Sequence, residues 1–170
     1  MKIIKIILFL SLGICREVEF KEIHLTGLIT DKRQEISGLE WYQDNLVLLP
    51  ENLGGFVYMI PKERIKKQLR ASKPEPIEPR QVSFKTADYS KTIPGFQGFE
   101  AIAFKNEFVA ITLEAKFDKE MHGYYAWGTI DPESFEIKIP EKNLFELPVP
   151  VQLKNFTFES LLIHGDKAIV

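Results

Sequence analysis

The sequence predicts an all-β fold, a β-propeller of four-stranded blades of about 60 residues each, and three observations carry that prediction. A short pattern occurs three times, as Ile36-Ser37-Gly38-Leu39-Glu40-Trp41, Phe99-Glu100-Ala101-Ile102-Ala103-Phe104 and Phe158-Glu159-Ser160-Leu161-Leu162-Ile163. Its copies start 63 and then 59 residues apart (36 to 99 to 158), and self-similarity at such a period marks stacked supersecondary units. Thirteen Phe, five Tyr and two Trp, with dispersed Pro and Gly and few long runs at helical period, favour strands over helices.

Each unit opens with a hairpin. A polar turn follows the first strand in every copy, at Gln43-Asp44-Asn45, Asn106-Glu107 and His164-Gly165-Asp166-Lys167, the short Gly/Asn/Asp-containing link that joins antiparallel strands. The second strand reads Leu46-Val47-Leu48-Leu49-Pro50-Glu51 in the first unit and Val109-Ala110-Ile111-Thr112-Leu113-Glu114 in the second, ending on a glutamate both times. Third strands follow at Phe56-Val57-Tyr58-Met59-Ile60 and Tyr124-Tyr125-Ala126-Trp127-Gly128-Thr129-Ile130. The stretches 61–65 and 131–135 read as turns toward outer strands at 81–85 and 144–151, whose prolines Pro148 and Pro150 suit an edge. Residues 66–80, charged and carrying Pro74, Pro76 and Pro79, read as a surface loop or short helix followed by an extended stretch.

Three further expectations concern length. From the first unit to the second, an insertion of about seven residues falls at 116–123 and reads as a loop on a binding face. Residues 20–29 alternate enough to form a strand belonging to a neighbouring blade. The third copy stops inside its second strand, and two units plus the start of a third cannot close a ring of four to eight blades, so residues 20–170 read as the N-terminal portion of a longer propeller. The competing fold is a sandwich of eight to ten strands whose hairpins are alike by chance.

The first fifteen residues stand apart. Lys2 and Lys5 precede the apolar run Ile6-Ile7-Leu8-Phe9-Leu10, the order of a secretory signal, and that run is too short to span a membrane. An exported protein follows, in the periplasm, on the outer membrane or outside the cell. Cys15 is the sole cysteine, so no intramolecular disulfide forms. Leu12-Gly13-Ile14-Cys15 is similar to a lipoprotein cleavage box, with Ile14 where a small residue is usual; the alternatives are lipidation of Cys15 and a plain signal peptide. Lipid would hold the domain at a membrane by about 0.8 kcal/mol per buried methylene.

A net charge of −2 and the lack of a basic patch with interleaved aromatics give no electrostatic case for nucleic acid. Gly-X-Ser-X-Gly, His-Glu-X-X-His, P-loop and dinucleotide glycine patterns are all missing, which removes the strong enzyme signatures. What remains is a set of carboxylates in register. Glu100 and Glu159 occupy the same place in successive units, with Ser37 as the equivalent in the first. In a propeller that place faces the central tunnel, where converging carboxylates suit a hard cation such as calcium; the alternative is polar strand starts bonded to nearby amides. Glu51 and Glu114 end the second strands and are candidates for acid/base work, or are solvated strand ends. His122, in the expected inserted loop, is the candidate general base among the three histidines.

The residues Glu35-Ile36-Ser37-Gly38-Leu39-Glu40-Trp41 and Gly98-Phe99-Glu100-Ala101-Ile102-Ala103-Phe104, the latter running on to Leu113-Glu114-Ala115, resemble the esterase-like phytase family of exported bacterial six-bladed propellers. The same short motifs are shared loosely with gluconolactonase-like, paraoxonase-like and strictosidine synthase-like propellers. The resemblance implies a calcium-associated propeller hydrolysing a phosphoester or ester, with Glu100 and Glu159 in the tunnel-facing acidic role; Ser37 departs from it. A second function class stays open beside it, a non-catalytic surface lipoprotein that binds a ligand or protein partner.

Overall fold

The computed structural model describes residues 21–52, 54–150 and 158–170. Residues 1–15, Cys15 among them, Phe20 and Val151 lie outside the described residues. Among those described, no helix is long and apolar enough to cross a membrane.

The fold is all-β. The first unit consists of β1 (Ile36–Tyr42), β2 (Asn45–Pro50), β3 (Gly55–Pro61) and β4 (Arg80–Lys85), an antiparallel array in chain order. The second consists of β5 (Phe96–Lys105), β6 (Phe108–Phe117) and β7 (Glu120–Ile130), with short β8 (Ile137–Lys138) and β9 (Leu144–Leu147) both pairing β7. Strand β8 also pairs β4 in parallel, so one sheet runs β1-β2-β3-β4-β8-β7-β6-β5. Its two end strands, β1 and β5, come to lie beside each other, and the eight-stranded path is nearly closed, like a barrel. The third copy forms the separate hairpin β10 (Leu162–His164) and β11 (Lys167–Ile169).

Repetition extends to the backbone. The first residue of each opening turn, Gln43, Asn106 and Gly165, has positive φ (50°, 53° and 61°), at the 63- and 59-residue steps of the sequence pattern. Gln43 and Asn106 thus occupy a region that non-glycine residues enter uncommonly.

Burial explains the strand composition. Val47, Leu49, Val57, Met59 and Phe84 of the first unit meet Phe99, Ile102, Ile111, Leu113 and Ala126 of the second in the main core, and Phe84 and Phe99 pack edge to face with centroids 5.3 Å apart. Their alternates on β2 and β3, Leu48, Tyr58 and Ile60, point the other way into a smaller cluster with Ile65 and Ile77. Apolar residues on both faces are what a sheet covered on both sides requires. The outward face of the second unit, with Ala101, Ala103 and Ala110, is covered by Leu161 and Ile163 of the third.

The structure corrects four expectations. The residues at 61–65 are not a turn: α1 (Lys62–Arg70) begins directly after Pro61 and lays Ile65 and the buried Gln68 on the first sheet. Gln68 Nε2 donates to the carbonyls of His24 (3.1 Å) and Glu75 (2.7 Å), tying the helix to the segment before the sheet and to the extended stretch after it. Within 20–29 the described residues form one bridge, Leu25 to Ile77, and a 3-10 turn (Leu28–Thr30) in place of a strand. The insertion at 116–123 is no loop: β6 and β7 stay paired to Phe117 and Glu120, and the residues between them, Asp118 and Lys119, both have positive φ (52° and 69°), as a type I′ hairpin requires. Finally, β4 is not an edge, because β8 pairs its far side.

Candidate functional site

The carboxylates that the repeat places in register converge. Glu51, Glu100, Glu114 and Glu159 line one open cavity of about 580 Å³ together with Phe96 and Gln97. Glu51 and Glu114, separate strand ends in the sequence pattern, belong to the same site as Glu100 and Glu159. His122 does not line it.

Local backbone geometry aims these side chains. Between Phe99 and Ala101 the β5–β6 register shifts, because Phe99 pairs Leu113 and Ala101 pairs Thr112, leaving Glu100 as an extra residue. The β1–β2 register shifts at the equivalent place, between Ile36 and Gly38, leaving Ser37. A second shift between Phe96 and Gly98 frees Gln97. Bulges of this kind turn a side chain out of the ladder and are enriched next to functional sites. Gln97 and Glu100 both turn to the cavity.

Hydroxyl groups then hold the acidic strand starts from the preceding unit. Ser37 Oγ donates to the carbonyl of Phe99, next to Glu100. Thr112 Oγ1, fully buried, donates to the carbonyl of Phe158 at 2.8 Å, next to Glu159. Ser37 therefore departs from the acidic pattern but serves the site by fixing its neighbour. The Phe99 amide donates to the Glu51 carbonyl at 3.2 Å, and Gly98 permits that approach: a Cβ there would lie 2.5 Å from Glu51 Cγ. At the far side Gly123 leaves room for the Phe158 ring, against which any Cβ would collide.

Electrostatics follow from crowding like charges in a partly desolvated place. Glu100 is buried (7 % exposed) and has no hydrogen-bond partner among the described residues; burial first, then the charges of Glu114, Glu159, Glu51 and Glu35, push its carboxyl up to about 8. Glu51 is pushed up to about 7, by burial first and then by a side-chain hydrogen bond that its protonated form donates to Glu35 and by the charges of Glu35, Glu114 and Glu159. No basic residue lines the cavity. At neutral pH the site therefore holds protons on some carboxyls, and an added positive charge would be favoured there.

The donor set is all hard oxygen, of the class taken by calcium and magnesium rather than by softer metals. Among the described residues no three His, Cys, Asp or Glu side chains stand close enough together to hold an ion as placed. The carboxylates ring a wider space that side-chain rotation would have to close.

His122 has a different setting. It lies in β7 at the hairpin tip, opposite Ala115, with its ring stacked on Phe117 (3.6 Å, 11°) and Nδ1 2.9 Å from Glu146 Oε1 of β9. The expected loop base is thus a strand residue with a carboxylate partner. Sequence reasoning assigned no role to Glu146, Glu35 and Gln97: Glu146 carries no repeat signal, Glu35 opens the first motif without a role of its own, and Gln97 lies just before the second.

No family model, curated protein or solved structure matches the chain.

Proposed function

We propose that the chain forms blades of a β-propeller of the esterase-like phytase type, and that its acidic cavity binds a divalent cation, calcium by the hardness of its donors, to act on a phosphoester or ester. The propeller reading is supported by the way the units stack: the third meets the outward face of the second through positions equivalent to those by which the second meets the first. A two-sheet sandwich has no such place for a third hairpin. The observation that carries the functional reading is Glu100, a bulged and buried residue whose carboxyl opens on three other glutamates.

Glu100 and Glu159 would hold the ion, with Glu114 beside them. Bound there, calcium supplies charge neutralisation and polarises a substrate oxygen. Glu51, with its carboxyl at about 7, suits proton transfer near neutrality. Its carboxyl is held in place by a hydrogen bond with Glu35, and the bare backbone of Gly98 lets its side chain pack close. Export directed by residues 1–15, with or without lipid on Cys15, would place the site where calcium is plentiful.

Incubating the full chain with chromogenic phosphate and acyl esters, with calcium and with a chelator, tests this reading. Calcium-dependent turnover that falls in Glu100→Gln is expected; no turnover in any condition would leave the non-catalytic reading. That second reading keeps the same cation site and uses it to order the cavity rim for a ligand or partner. It is favoured by the separation of the His122–Glu146 pair from the cavity lining.

A further inference from the structure

On the ester reading of the acidic cavity, on which this step depends, we propose that the pocket beside that cavity seats an uncharged aromatic group, so that the ligand acted on is a neutral aromatic ester and not a polyphosphate. The link between the two units builds the pocket. From Lys85 at the end of β4 the chain runs through Thr86, Ala87 and Asp88 into the short helix α2 (Tyr89–Thr92) and on to Phe96 at the start of β5. Tyr89 is buried against β5: its ring lies 6.2 Å from that of Phe96 and 6.3 Å from that of Phe99, and the two phenylalanines stand edge to face at 5.7 Å. Beside the link, where Gly55 pairs Phe84, Gly54 and Gly55 present no side chain, and a Cβ at either would meet nothing within 4 Å. Link, rings and glycines line a space of about 330 Å³, and Glu51 and Phe96 belong to the walls of both this pocket and the acidic cavity.

The size suits a ring with a short substituent. An apolar cavity of about 150 Å³ takes benzene, and small-molecule sites begin at about 300 Å³. Aromatic walls favour a planar partner, which meets them offset-stacked or edge on. Charge narrows the choice further. Besides Glu51, the one charged side chain lining the pocket among the described residues is Asp88, and it is already engaged, accepting from Ser90 Oγ at 2.5 Å and pairing with Lys91 Nζ at 2.7 Å. No basic residue among those described lines either cavity. A polyanion would leave water for a place with no side-chain cation to receive it, and a single calcium ion among four glutamates leaves little positive excess for several phosphates. A neutral ester meets no such penalty. Tyr89 lines the pocket, and its hydroxyl is buried with no hydrogen-bond partner among the described residues. An ester oxygen brought against that hydroxyl would satisfy it.

Titrating the full nitrogen-15-labelled chain with methyl benzoate and with phenyl phosphate, each with and without calcium, tests the proposal through amide shifts. Methyl benzoate should bind at about millimolar strength and move the amides of Gly54, Gly55 and residues 86–90, whereas phenyl phosphate should move none of them. Tyr89→Phe keeps the ring and should weaken methyl benzoate by about three- to tenfold. Gly54→Phe places a side chain where nothing stands and should abolish binding. If Gly54→Phe loses its strand signal in circular dichroism, the volume-conserving Tyr89→Phe carries the test. Absence of methyl benzoate shifts at these amides in the parent chain, tighter binding of phenyl phosphate there, or unchanged affinity in Tyr89→Phe and any folded Gly54→Phe would overturn the proposal. Turnover of 4-nitrophenyl benzoate with calcium reads the hydrolase separately: binding without turnover counts for the pocket and against the hydrolase, and leaves the pocket as the ligand seat of the non-catalytic reading.

Discussion

Replacing Glu100 by glutamine should stabilise the protein near neutral pH and destabilise it in acid. In the unfolded chain the carboxyl ionises at 4.5 and in the fold at about 8, so the folded state holds a proton that the unfolded state has released throughout that interval. A group raised in this way leaves stability intact below 4.5 and erodes it as pH climbs toward 8, by about 1.4 kcal/mol for each pH unit. At about pH 7.5 the loss reaches ~4 kcal/mol. Part of it is shared with Glu51, which the same charges push up, and a buried amide lacking partners costs ~1–2 kcal/mol. The net expectation for Glu100→Gln is a gain of ~2 kcal/mol at about pH 7.5 and a loss of ~1 kcal/mol at about pH 4.5. For a chain of this size the neutral-pH gain moves the midpoint up by roughly 4–8 °C. Urea and thermal unfolding at both pH values would measure it. A variant destabilised equally at both would refute the reasoning, because it would mean that Glu100 is charged and satisfied in the fold.

Calcium at a hundredfold over its dissociation constant should raise parent stability by about 2.7 kcal/mol at neutral pH, with no rise in Glu100→Gln and reversal by chelator; thermal shift reads all three. Thr112→Val removes the hydroxyl that holds the Phe158 carbonyl and should cost about 1–3 kcal/mol, while loosening amide protection in β10 in hydrogen exchange. Gly123→Ala should drive the Phe158 ring off β7, and calcium affinity should fall more than global stability. In the main core Leu113→Ala should cost about 2–5 kcal/mol in urea unfolding, since the side chain is fully buried.

Hairpins were legible because their signals are local. The apolar runs at Leu46-Val47-Leu48-Leu49 and Val109-Ala110-Ile111 became β2 and β6, and each turn read from Asn, Asp or Gly is a turn. Failures came where two local signals compete. Pro61 ends β3 as expected, but its fixed φ also suits the residue before a helix, and Lys62-Glu63-Arg64-Ile65 carries Ile65 on the face that meets Tyr58 and Ile60. At 116–123 a gap in alignment was read as a loop, yet added residues can lengthen both arms of a hairpin equally, and Asp118-Lys119 gives no glycine to mark so tight a turn. Pairing of β4 with β8 is non-local and has no signature in either segment.

The site shows the same division more sharply. Glu100 and Glu159 were visible because a repeat makes positions comparable, and comparison is what turns a common residue into a candidate. Register comparison could not reveal that Ser37 and Glu100 are bulged residues, since the sequence reads the same whether a strand pairs evenly or carries one residue extra. Yet the bulge decides the chemistry. With even pairing, alternation would fix the side chain of Glu100 by the parity of its neighbours, Phe99 in the core and Ala101 on the outward face. The shift releases Glu100 from that choice, so its carboxyl opens on Glu51, Glu114 and Glu159 at the strand ends. Ser37 makes the same departure and spends it on the Phe99 carbonyl. A single irregularity, repeated, thus builds a hydroxyl anchor in one unit and a cavity-facing carboxyl in the next, and the acidic cavity exists where the two meet.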